Sequence, residues 1–567
     1  VPRKPARHPV WPVLAPVLLF ALPLLLALPL AIGQGVEPAA WRALASDPQG
    51  PRALALSVGT ALVSTLAALA LSLWLVTHLH GTPAWERLAC ALGPMLSLPH
   101  AAFAIGLALL VMPAGVLARL LAPLLQWDAP PDWPTVNDPW GVGLVLVLVA
   151  KETPFLLWSI VALLARPELV LQLRGWLAAG RTLGYRDSAL WWRVLWPQLL
   201  PRLAWPLLAV LAYGLTVVDL ALIVGPASPP TLAVLAWQAL LDADPARNAE
   251  GAAWALLLAA VLAAMVALGW LLVRALAGAW RAGAVDGRRR PVPASRHRAA
   301  APRMAPAVLG MLMAIYAAVV LLIALSSFTG VWTFPSLWPQ SWTAGAWVQV
   351  ADSAGTVGLT AALGVFAALA ALALVLAWLE AAPPAWDDRA MPVVLAPLVV
   401  PSLLTMVGLY SLALPLRLDG TLAGLAWVHT LVVLPYVFVA LAPAWRAFDP
   451  RYETTALALG RSRTAFWWHA KLPMLAAPVA AALAVGFAVS VAQYLPTQFL
   501  GAGRHGTVTT EAVTLAAGGQ RHTAAAFAAL QALLPAIGFG LAAAVGLAQR
   551  RRIGAMPAPH AHGPRTA

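Results

Sequence analysis

Charge is what this sequence has least of. Only 10% of its 567 residues are Asp, Glu, Lys or Arg, against roughly a quarter in soluble domains. Such a chain cannot cover a water-facing surface with solvated groups, and its mean hydropathy of +0.80 excludes an ordinary soluble protein. Cysteine is nearly absent. Cys90 stands alone in an apolar run, where a buried core position is expected, and no intrachain disulfide or CxxC metal site can be built from it. Lysine is almost as rare, and none of Lys4, Lys151 and Lys471 follows Gly in a G-x-x-x-x-G-K-[ST] loop. The usual cradle for ATP phosphates is therefore missing. The eleven His are scattered without ligand spacing, so neither a metal centre nor a catalytic cluster is expected. The net charge of +14 is not arranged with interleaved aromatics, which argues against nucleic acid.

What the sequence has is long apolar runs. Twelve candidate spans lie near 10–32, 54–76, 88–112, 141–165, 203–225, 252–273, 305–328, 354–379, 391–414, 421–442, 478–500 and 524–548. Each is long enough to cross a hydrocarbon core of ~30 Å, and continuous runs mean helices rather than a barrel. The run after "VPRKPARHPV" is longer than a usual signal core, so an uncleaved first span is expected. Lys and Arg favour the segments on the N-terminal side by about four to one, whereas acidic residues divide evenly. This predicts a multi-pass membrane protein with both termini cytoplasmic. Residues 280–303 read as a basic cytoplasmic linker between residues 1–279 and 304–567.

Those two parts read as diverged copies. "SLPHAAFAIGLAL" and "VVPSLLTMVGLYS" both place a proline early in a span, and Pro154 and Pro435 recur one span later. After each comes a long segment expected in the cytoplasm: "LAAGRTLGYRDSALWWRVLWPQLLP" and "ETTALALGRSRTAFWWHAKLPMLAAP". Each predicts a short helix closed by Gly184 or Gly460, a turn, and a second amphipathic helix running to Pro197 or Pro473. The short helix offers small or apolar residues, Ala178, Ala179 and Leu183 in one copy and Thr455, Ala456 and Leu459, after Thr454, in the other. Such a helix is shaped for a partner's groove. The Trp pairs 191–192 and 467–468 are expected as interfacial anchors.

The motif resembles the "EAA…G…LP" loop of permease subunits of binding-protein-dependent ABC importers. The double-length arrangement is similar to their ferric-iron and thiamine-type branch, including its thiamine-like members. The resemblance implies an all-α fold of about 12 transmembrane helices in two homologous six-helix halves. It implies that 178–184 and 454–460 are coupling helices, seated in two copies of an ABC ATPase subunit. It further implies an extracytoplasmic solute-binding protein as partner and a small solute as cargo, a thiamine-like cation or ferric iron. The chain itself would be no enzyme and bind no cofactor, with ATP used by the partner subunits. The glutamate expected at the motif's start is Ala178 in one copy and Thr454 in the other, with Glu453 displaced by one. The alternative is a twelve-helix secondary transporter of major-facilitator type, which should carry a charged Gly-rich loop between its second and third spans. Here that loop is "HLHGTPAWERLA".

Inside the spans, Lys151, Glu152 and Asp219 carry the only charges, and each needs a partner or a polar cavity. Pairing of Lys151 with Asp219 is expected, with Glu152 facing a cavity. In the second half valines 432 and 433 stand at the Lys151 and Glu152 positions, and Gln493 lies near the Asp219 level. These residues are candidates either for a pathway or for helix pairing.

Overall fold

The computed structural model describes residues 11–285 and 296–554, and among these it is built of helices with no strand beyond one isolated bridge. Ten helices are long and apolar enough to cross a membrane, or twelve if two sharply bent pairs each count as one span. The chain is an all-α polytopic membrane protein. The connector expected at 280–303 is helical at both ends, through Val285 and again from Arg296, while 286–295 and the N-terminal residues 1–10 lie outside the described residues.

Four of the expected spans are broken. The third consists of Pro83–Ser97 and His100–Val111, the ninth of Asp387–Val399 and Ser402–Ala413. Proline bars the residue before it from helical geometry, and Leu98 and Val400 are accordingly extended (ψ 119° and 133°). In the second half the two pieces diverge by 103°. The fifth span breaks at Val217–Val218 without proline, and the eleventh at Ala492–Tyr494 with Pro496 in the first turn of the helix that resumes.

The first spans of the two halves are exchanged. Leu22–Gly35 packs on Ser402–Ala413, and Arg296–Ser326 packs on His100–Val111. Glycines at matching places permit both crossings. A Cβ on Gly408 would lie 1.9 Å from the Ala27 carbonyl oxygen, and one on Gly106 would lie 2.6 Å from Val319. Another equivalence links the spans to the short helices that follow the breaks. The Leu232 N–H donates to Ser57 Oγ (2.8 Å), and the Val508 N–H donates to Thr360 Oγ1 (2.9 Å). On one end of the bundle Arg119 donates to the carbonyls of Trp332, Thr333 and Ser336, tying the two halves together.

Cys90 is not in the core. It lies on the outward face of Pro83–Ser97, whose inward face carries Ala84, Leu88, Leu92 and Met95. An apolar residue facing outward is what a lipid surround permits.

Candidate functional site

The repeated motif adopts one geometry twice. Helix Pro167–Thr182 closes at Gly184 and helix Arg451–Ala458 at Gly460, both at φ +79°. The Tyr185 N–H returns to the Gly180 carbonyl and the Arg461 N–H to that of Ala456, each at 3.0 Å. This is the six-to-one bond of a glycine-terminated helix, which needs the left-handed residue. Ala178, Ala179, Gly184, Thr454, Thr455 and Gly460 are exposed. At the two tips Leu183 is 61% and Leu459 77% exposed. Two apolar side chains thus stand uncovered at equivalent positions.

The glutamate question resolves locally. Glu453 pairs within the chain, with Arg463 at 3.3 Å. In the other copy Arg181 and Asp187 form a two-pronged pair at 2.8 and 2.6 Å. Each turn is therefore braced by its own ion pair.

The second helix runs to Pro197 and Pro473, and just past Pro473 the chain bends by 73° between Met474 and Ala476. Ahead of the proline the helix passes through a π-helical turn, Trp191–Leu195 or Trp467–Lys471. There the Trp196 N–H reaches the Trp191 carbonyl and the Leu472 N–H reaches that of Trp467. The proline comes next, so the widened turn absorbs its missing N–H. Pro197 is half-buried and Pro473 exposed. The Trp pairs divide their work. Trp192 and Trp468 face outward, but Trp191 is buried against Trp196 and His80 and is no interfacial anchor. Burial among these rings pushes the His80 imidazole below its ordinary range.

Behind the second motif lies a network that the sequence did not suggest. Lys471 donates to Glu380 (2.5 Å) and sits over the Trp445 ring. Arg446 pairs with Asp387 through two bonds and also holds the carbonyls of Leu379 and Ala382. The motif is thereby fastened to the segment entering the broken ninth span. Each partner is ordinary alone, and only the fold gathers them.

In the bundle interior the expected Lys151–Asp219 pair does not form. Lys151 Nζ donates to the carbonyls of Met95 (3.2 Å) and Leu98 (2.7 Å). The Pro99 break frees those carbonyls, and the negative end of a half-helix attracts the ammonium. The Ala150 carbonyl, which loses its usual donor because Pro154 has no N–H, accepts from the Tyr316 hydroxyl at 3.1 Å. Glu152 is 5% exposed and meets His100, whose Nε2 is 3.5 Å from Oε1. Asp219 opens the short helix Asp219–Val224. Gln493 lies in the eleventh-span break and its Nε2 donates to the Val489 carbonyl in the last turn of helix Ala476–Val491.

His100 and the tyrosines are the residues that sequence reasoning missed. Tyr213, Tyr316 and Tyr436 lie within electrostatic reach of Glu152, and Tyr213, Tyr494 and His100 within that of Asp219. The His100 and Tyr213 rings are 5.0 Å apart. The chain has only seven tyrosines, so four around two carboxylates is a concentration. A His directly after the span-breaking Pro99 was the available signal. In the other half His429 is buried and bonds Ser490 and Thr497, on either side of the eleventh-span break, at 2.9 and 3.1 Å.

No protein-family model matches the chain. It is 37% identical over 508 residues to the inner membrane ABC transporter permease protein YnjC of Escherichia coli (strain K12), covering 89% of this chain and 90% of that protein.

Proposed function

Since this chain belongs to the inner-membrane permeases of ABC transporters, we propose that it forms the translocation pathway of an ATP-driven import system for a small solute. The carrying observation is the pair of equivalent tips, where Leu183 and Leu459 stand exposed beyond glycine-closed helices. Two ATPase subunits seat on them, one on each half (residues 1–279 and 304–567). Closure of the ATPases on ATP pushes the tips, and the π-turns carry the push into the fifth and eleventh spans. An extracytoplasmic solute-binding protein delivers the cargo to the other end, a thiamine-like cation or ferric iron. The secondary-transporter reading is less favoured. Only His80–Thr82 separate helices Gly50–Leu79 and Pro83–Ser97, which leaves no room for its charged loop.

The orientation has a direct test. In a Cys90→Ser background, a cysteine placed beside Arg461 is expected to be shielded from an impermeant thiol reagent in intact cells, and one beside Asp244 to be labelled. Labelling of the Arg461 site from outside would reverse the topology and end the coupling account.

A further inference from the structure

The bundle interior holds one carboxylate that the protein leaves short of donors. Glu152 Oε1 is buried and accepts no hydrogen bond among the described residues. Its neighbour in sequence offers nothing, because the Lys151 ammonium is committed to the carbonyls of Met95 and Leu98. The nearest cationic group is the His100 imidazole at 3.5 Å, with a side chain 39% exposed. An ionised carboxylate at membrane depth needs a partner or water.

The surroundings select among cations. The His100 and Tyr213 rings lie 5.0 Å apart beside Glu152, and Tyr213, Asp219 and Tyr436 each keep part of their surface exposed. Phenol ring faces carry negative charge density and attract diffuse organic cations. A trivalent metal ion instead wants several hard ligands converging on one point. Among the described residues no three His, Cys, Asp or Glu side chains are placed to share a metal ion. Resting on the permease reading above, we infer that Glu152 and Asp219, with the rings of Tyr213 and Tyr436, form a transit site for an organic cation. His100 holds the Glu152 carboxylate when the cation is absent.

The test uses the full-length permease with its ATPase in lipid nanodiscs and measures equilibrium binding. The probes are thiamine, benzyltrimethylammonium, the uncharged isostere of the latter (neopentylbenzene), and ferric citrate. At least one of the two cations is expected to bind at millimolar concentration or below, with the neutral isostere and ferric citrate weaker by about tenfold or more. Glu152→Gln, checked for retained ATPase by co-purification, is expected to lose about tenfold in that binding, and Glu152→Asp to restore part of it. The site is overturned if neither cation binds, if the neutral isostere or ferric citrate binds as well, or if Glu152→Gln binds unchanged. With the ATPase assembled, those failures leave the permease reading standing. If the ATPase never assembles with the wild-type chain, the permease reading fails and takes the site with it.

Discussion

Valine at Gly460 is expected to yield a permease that inserts normally but binds its ATPase about tenfold more weakly, and valine at Gly184 to do the same less severely. Both glycines sit at φ +79°, and a Cβ built on either meets nothing within 4 Å. The penalty is therefore not a clash with neighbours. It is backbone strain, about 1–2 kcal/mol for an L-residue in the left-handed region and more for a β-branched one. The chain escapes by leaving that conformation, which breaks the Tyr185 or Arg461 return bond and turns the Leu183 or Leu459 tip away. A docking equilibrium weakened by ~1.4 kcal/mol loses tenfold in affinity. The copies differ in bracing. The Arg181–Asp187 pair makes two short bonds, while Glu453–Arg463 makes one contact at 3.3 Å, so Gly184 is the more tolerant site. Co-purification of ATPase with tagged permease, normalised to permease in the membrane, reads the effect. Unchanged co-purification in both variants would remove the docking role.

Lys151→Met is expected to cut the amount of folded permease sharply without a selective effect on transport by what remains. Methionine matches the length of the side chain but offers no proton to the Met95 and Leu98 carbonyls. Hydrogen bonds from a charged donor are worth roughly 1.5–3 kcal/mol each. Removing the buried ammonium also removes its own desolvation cost, so the net loss is on the order of 3 kcal/mol rather than the full sum. Lys151→Gln keeps a donor and is expected to recover part of the level. Membrane level by immunoblot and uptake per folded molecule separate the outcomes. Normal level with altered uptake per molecule would move Lys151 from holding the Pro99 break to lining the pathway.

The repeated motif was legible in sequence because its parts are local. A glycine at a helix end, a Trp pair and a proline at fixed spacing dictate their own backbone, and both copies obey. The same local logic did not reveal the π-turn ahead of Pro197 and Pro473, since nothing nearby announces one. Trp191 was misjudged because burial against His80 and Trp196 depends on the preceding spans. The breaks at Pro99 and Pro401 were marked by their prolines, whereas that near Val217 carries no such mark and that near Ala492 only Pro496 just beyond it. The charge pairing failed for a related reason. Counting charges offers Asp219 as the partner of Lys151, but a broken helix creates carbonyl acceptors that no charge count contains. The exchange of first spans between halves was likewise invisible until Gly106 and Gly408 were seen facing Val319 and Ala27.

The most direct test of the account places a photo-reactive amino acid at Leu459, the more exposed tip, in cells that also make the partner ATPase. Illumination followed by mass spectrometry of the cross-linked product is expected to yield a peptide from an ATPase subunit bearing a phosphate-binding loop. Position 183 should give a second product with the same subunit type. Cross-links from both tips only to lipid, or to no protein at all, would contradict the claim that these two turns are where ATP-driven motion enters the permease.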